Sequence, residues 1–293
     1  MSTGATIAAP AATFEPGAVM AKAASENFPV ALRLVPRTQR DQLLAVYGYA
    51  RLVDDVGDLA PGDRRAQLDW VEAELDRALE GRATHPVFVR AGDMAAATGA
   101  GRQPFADLIA ANRMDQEVAR YATFADLVGY CALSANPVGH LVLAVFQIPG
   151  ERARRRSDDI CTALQIIEHL QDVAEDYGAG RVYLPLEDCA RFGVGIDELA
   201  KGAASPALRR LVAFEAARAR ALLVAGSPLV ADASGAARAA LAGFVGGGWA
   251  QLDALEACGY DVLAHRVKAS RSGVARRALG VWRTGAIAQG RLR

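Results

Sequence analysis

Apolar side chains recur at intervals of three and four along the chain, and no run alternates convincingly at period two. That spacing gathers them on one face of an α-helix rather than of a strand, so the pattern predicts an all-α protein. Helices are predicted over 41–58, entered after Pro36, and over 64–79, the second more polar and more exposed. Others are expected near 86–97, 104–120 and 124–147, the last bent or divided at Pro137. The periodicity resumes over 158–177, ended by Gly178 and Gly180, then over 206–225, 234–257 and 273–287, with Gly246-Gly247-Gly248 loosening the 234–257 helix. Neither a short repeat nor a linker interrupts the succession. One helical domain is therefore expected over 26–270, after an Ala-, Gly-, Pro- and Thr-rich arm at 1–25 expected to be disordered, and before a basic tail at 271–293.

Composition narrows the function classes. A chain of 293 residues, 52% hydrophobic, can bury one large continuous core. Thirty-three basic residues balance thirty-three acidic ones, which gives no global field for nucleic acid. From Arg266 onward, however, there are eight Lys or Arg and no acid, a pattern that suits either contact with anionic lipid or a solvated basic end. Cys131, Cys161, Cys189 and Cys258 lack CxxC spacing and sit in apolar contexts, as reduced core residues do. The start of the chain lacks the basic and apolar regions of a secretory signal, and no stretch reaches about 18 uninterrupted apolar residues. The expected location is cytoplasmic, with at most peripheral contact at the inner face of the membrane. The histidines at 85, 140, 169 and 265 form no metal set, and Ser134 and Cys131 have no evident base for covalent catalysis.

Two acidic faces stand out against this apolar background. In "AVYGYARLVDDVGD", residues 45–58, Tyr47, Arg51, Asp54 and Asp58 share a helical stripe, with Asp55 beside it. In the 158–177 helix, Gln165, Glu168, Asp172 and Asp176 are spaced three, four and four. Each helix is otherwise apolar, so its acids are costly to bury without a positive partner. Taken alone, either pair reads as a solvated i, i+4 pair or as an acid meeting a basic neighbour. Like charges at that spacing cost a few tenths of a kcal/mol, so helix propensity explains neither face. A shared ligand explains both. Mg²⁺ prefers carboxylate oxygens, taking one or two and leaving positions for water and phosphate, so facing Asp pairs could hold magnesium against a diphosphate. Arg51 and Arg181 suit either a fork onto phosphate oxygens or a local ion pair.

"RLVDDVGD" and "ALQIIEHLQDVAEDYGAGRVYLP" resemble the two aspartate-rich motifs of the squalene and phytoene synthase family. "ENFPVALRLVP" at 26–36 and "YCALSANPVGHLVL" at 130–143 are similar to its bacterial hopanoid-pathway branch, and the resemblance runs from about residue 26 to 268. It implies a single-domain isoprenoid synthase fold with a central cavity between antiparallel helices. The implied activity is conversion of presqualene diphosphate to hydroxysqualene and diphosphate. The alternatives are synthesis of presqualene diphosphate or squalene from two farnesyl diphosphates and, from a different class, an inactive helical partner of a pathway enzyme. The resemblance makes Asp54, Asp55, Asp58, Glu168, Asp172 and Asp176 ligands of two or three Mg²⁺ ions, Glu168 standing where many relatives carry Asn. It maps Arg51, Arg181, Arg266 and Lys268 onto diphosphate contacts and Tyr47, Tyr130 and Tyr183 onto the cation's path. Asn136 and Gln165 are the candidates for orienting water. Water capture gives an alcohol and leaves NADPH unexpected. Association with other squalene-pathway enzymes is a further implied partnership.

Overall fold

The computed structural model describes residues 35–285. The expected arm at 1–25, the segment 26–34 of the N-terminal motif, and Arg291 and Arg293 lie outside the described residues. Thirteen α-helices and one short 3₁₀ helix make up the described chain, which contains no strand and a single isolated bridge between Arg120 and Val182.

The first half comprises α1 (Arg37–Leu59), α2 (Arg64–Leu79), α3 (Pro86–Thr98), α4 (Gln103–Met114), α5 (Phe124–Ser134) and α6 (Asn136–Val145). Local signals set their ends. Pro36 immediately precedes α1, which begins four residues earlier than expected. Asp63 accepts from the amides of Arg65 and Ala66 to start α2, and α3 has Pro86 in its first turn and the left-handed Gly99 at its end. Thr123 and Asp126 form a reciprocal capping box at the start of α5. One expectation needs correction here, and another, the division near Pro137, holds. The helix predicted to reach 120 stops at Met114, because the following segment leaves the helix and the Ala119 carbonyl accepts the Val182 amide at 2.8 Å. The 124–147 helix is divided at Ala135, one residue before Asn136-Pro137.

Then follow α7 (Glu151–Gln171), α8 (Val173–Gly178), α9 (Leu186–Phe192), the 3₁₀ turn Ile196–Ala200, α10 (Pro206–Gly226), α11 (Pro228–Asp232), α12 (Gly235–Ala257) and α13 (Arg271–Thr284). The expected 158–177 helix starts seven residues earlier, at Glu151, and breaks at Asp172, whose φ of −104° and ψ of 14° leave the helical region. The helix α12 runs unbroken through its three glycines. Gly246 serves a close approach: a Cβ there would lie 2.4 Å from the Ala278 nitrogen, so its absence lets α13 seat directly on α12.

Two large apolar clusters form most of the core, with a small third one, Ala250, Ala269 and Val274, beneath α13. One joins α1–α4 with α6, around Tyr49, Phe88 and Phe105; the other joins α5 with α7–α13, around Ile166, Ile167, Leu208 and Leu252. Where the two large clusters meet lies a cavity of about 270 Å³, walled by α1, α4, the end of α5, α6, α7, α11 and α12. By length and composition Phe124–Val145 would suffice to cross a membrane, yet half of that window is buried inside the protein and the division at Ala135 interrupts it. All four cysteines are free.

Candidate active site

Most of the cavity wall is apolar, with Leu108, Val138, Val142, Ile160, Leu164, Leu229, Leu241 and Phe244 contributing, and Asp54, Gln165 and Glu168 adding polar groups. Asp54 comes from α1, whereas Gln165 and Glu168 come from α7. The two acidic faces, more than a hundred residues apart in sequence, therefore contribute to one chamber.

Asp54 is open to the cavity but surrounded by protein mass. Burial, with the charge of Asp58 adding to it, pushes its carboxyl up to about 6 against the opposing hydrogen bond from Asn112 Nδ2 at 3.1 Å. Asn112 is itself placed by a glycine: a Cβ on Gly57 would fall 2.1 Å from Asn112 Oδ1. Asp58 is exposed and receives a 2.8 Å hydrogen bond from Arg181 Nη1, a direct link between the first motif and the loop after the second. Burial opposes the charge on Arg181, but the bond to Asp58 and nearby negative groups raise its pKa further. Asp55 behaves differently from its neighbours. It is buried and paired with Arg51 at 3.0 Å, so these two expected site residues face each other.

On the second motif, the break at Asp172 separates Glu168 and Asp172 from Asp176. Burial raises the Asp172 pKa, Asp176 and Glu175 raise it further, and His169 and Arg266 pull the other way. Asp176 carries a buried carboxylate oxygen, Oδ2, without a hydrogen-bond partner, and His169 Nδ1 lies 3.8 Å from it. Such an orphaned oxygen beside another acid suits an oxygen-seeking cation. No group of three His, Cys, Asp or Glu able to hold a metal unaided occurs among the described residues. Carboxylates here would share a cation with water and phosphate. Arg266 and Lys268 are exposed on the loop after α12, which Gln171 secures through a 2.6 Å bond to the Val267 carbonyl.

An aromatic layer adjoins these acids. Tyr130 and Tyr183 lie 5.6 Å apart, Tyr121 stacks on Tyr183 at 5.8 Å, and the His169 ring lies flat on Tyr183 at 3.7 Å and 9°. The Tyr130 hydroxyl donates to Asp115 Oδ2 at 2.8 Å, and that of Tyr183 to Asp115 Oδ1 at 3.4 Å. Burial, opposed by these hydroxyls and by Arg181, pushes Asp115 up to about 6. Gln165 Nε2 is 3.4 Å from both Glu168 Oε2 and His169 Nε2. Tyr47 is half-buried one turn before Arg51. Asn136 is turned to α7, where Thr162 donates to its Oδ1 at 3.0 Å.

Asn112, Asp115 and Tyr121 were not picked out by sequence reasoning, and His169 was set aside. The faint signal for the first two was their own spacing of three at the end of α4. Asp115 meets its tyrosines only through the tertiary fold.

The chain is similar to known proteins in both sequence and fold. The squalene/phytoene synthase family profile matches residues 21–273. The chain is 37% identical over 213 residues to hydroxysqualene synthase of Rhodopseudomonas palustris, an alignment covering 71% of each protein. Its fold matches squalene synthase HpnC from Alicyclobacillus acidocaldarius with a TM-score of 0.77 at 39% identity, over 84% of this chain and 94% of that one. A dehydrosqualene synthase solved with a ligand matches at 0.81 and 25% identity, over 91% and 94% of the two chains.

Proposed function

Because the chain belongs to the squalene/phytoene synthase family, we propose that it is a Mg²⁺-dependent hydroxysqualene synthase acting on presqualene diphosphate. The observation that carries this reading is the convergence of Asp54 and Glu168, from two remote motifs, on one apolar chamber. A long hydrocarbon bearing a diphosphate matches that division between an apolar wall and acidic groups. Similarity to hydroxysqualene synthase supports water as the final nucleophile.

Asp54, Asp58, Asp172 and Asp176 would hold Mg²⁺, which supplies charge neutralisation for the leaving diphosphate. Arg181, together with Arg266 and Lys268 on the neighbouring loop, binds the diphosphate oxygens. The carbon–oxygen bond breaks with its electron pair leaving on diphosphate. Tyr130 and Tyr183 flank the cation's path as a buried aromatic layer beside the acids, Asp115 fixing both rings through their hydroxyls and the His169 ring covering one face of Tyr183. The apolar wall excludes bulk water from premature capture. Gln165, held near Glu168 and His169, orients the one water whose oxygen forms the new bond, its proton passing to the departed diphosphate. Asn136 acts indirectly, by bracing α6 against α7.

The test supplies purified protein with Mg²⁺ and presqualene diphosphate or farnesyl diphosphate, with and without NADPH, and identifies the extracted lipids by mass spectrometry. Hydroxysqualene from presqualene diphosphate without NADPH is the expected result. Consumption of farnesyl diphosphate to presqualene diphosphate or squalene would replace this reading with the transferase alternative, and no turnover of either substrate would favour an inactive partner.

A further inference from the structure

The helix α13 has two faces of opposite purpose. Its inner face carries Val274 and Val281, both buried, and Ala278, which meets Gly246 of α12. Arg277 closes that face with a two-pronged bond to Asp253, at 2.7 and 2.6 Å. Its outer face carries Ala275, Leu279 and Trp282, spaced i, i+4 and i+7, so they form one exposed stripe. Leu279 is 54% and Trp282 47% exposed. The other exposed large apolar residues among those described, Leu59, Val89 and Val224, occur singly on three different helices, as is ordinary on protein surfaces.

The charges that α13 itself carries beside this stripe are of one sign. Arg271, Arg276 and Arg283 are exposed on the same helix, and no acid occurs anywhere from Arg266 to the end of the chain. The nearest acid used by the helix, Asp253, is already matched by Arg277. An indole and a leucine side by side, framed by arginines whose stems are long enough to bring the guanidinium groups to a headgroup layer, constitute the chemistry of an interfacial helix.

We propose that the outer face of α13 docks on an anionic lipid bilayer, with Leu279 and Trp282 entering the headgroup–acyl boundary and Arg271, Arg276 and Arg283 meeting lipid phosphates. A second copy of the chain fits less well, because it would bring the same arginines together. The proposal is independent of which product the enzyme makes. Its value to a protein handling long hydrocarbons would be proximity to a phase in which they dissolve: α13 is joined directly to the loop bearing Arg266 and Lys268.

The test is flotation of the full-length protein with vesicles of phosphatidylglycerol and phosphatidylcholine in equal parts, and with phosphatidylcholine alone, at low and high salt. Binding to the anionic vesicles, weakened by salt, is expected. The Arg276→Glu/Arg283→Glu variant should lose at least about tenfold in partitioning, and Leu279→Ser/Trp282→Ser should lose binding while keeping the wild-type melting temperature. Tryptophan emission should shift to the blue on adding anionic vesicles, and Trp282→Phe should abolish that shift. Failure to float at low salt, equal flotation of the variants, or equal binding to phosphatidylcholine alone would overturn the proposal. Concentration-dependent dimerisation removed by Leu279→Ser/Trp282→Ser would assign the stripe to a second copy instead.

Discussion

Asp115 shows how a single carboxylate can organise a site without belonging to either motif. It accepts from two tyrosyl hydroxyls and lies within the field of Arg181 and Asp58. Asp115→Asn keeps the volume but removes the charge and one acceptor, so the rings lose a common anchor. Turnover should fall by about a hundredfold, as for other small displacements of reacting groups, with little change in melting temperature. Circular dichroism and single-turnover kinetics on the variant check both halves. A second cluster, outside both acidic motifs, bears on stability. Glu215 and Asp188 are 1% and 2% exposed and share Arg218 Nη1, at 2.9 and 2.5 Å. One cation cannot satisfy two buried acids. Burial, then the Asp188 charge, outweigh Arg218 and push Glu215 up to about 8. Its folded pKa thus lies above the unfolded value near 4.5, so the folded state retains a proton that the unfolded chain releases. This stabilising contribution is complete below the unfolded pKa and is lost as pH rises through about 8. Glu215→Gln should flatten that decline, and melting curves from pH 5 to 9 would show it as a variant gaining on wild type toward the alkaline end. At this scale the acids of the two motifs and the tyrosines were legible from spacing and resemblance. Asp115, Asn112 and the partnership of Arg51 with Asp55 were not, because each depends on which side chain the folded backbone brings opposite.

Helical periodicity identified the long helices well and Pro137 marked the division of the 124–147 helix, but neither the short helices nor the break at Asp172 could be seen in it. The seven-residue α9 and the 3₁₀ turn at Ile196–Ala200 are too short to display a period. The break at Asp172 left no mark in the sequence, since Val173 onward resumes a helical conformation. The extended register at Arg120–Val182 was hidden for a different reason: it pairs two segments that each look like a helix end. Packing between elements also supplies a test of the site's support. Gly57 leaves room on α1 for Asn112 of α4, and Asn112 in turn holds Asp54. Gly57→Ala would drive a methyl into Asn112 Oδ1, forcing that side chain away. A loss of about 1–3 kcal/mol in denaturant unfolding is expected, together with reduced turnover because Asp54 loses its hydrogen bond. Unchanged activity at reduced stability would show that Asn112 supports the fold alone.

For the molecule as a whole, the expectation of an all-helical fold around a central cavity holds, and the cavity occupies the seam between its two cores. That position makes the seam sensitive to anything joining the halves. Arg181 and Asp58 do so directly, reaching from beyond the second motif to the end of the first. On the proposed mechanism the diphosphate competes for Arg181 and a divalent cation competes for Asp58, yet both competitions sever the same bond. Whichever binds first meets the cost of opening it, and the other then finds its partner already released. Reciprocal linkage requires each to enhance the other's affinity by the same factor. One ion pair thereby becomes a thermodynamic coupling element, favouring joint arrival of cation and anion through the protein itself, in addition to their direct attraction.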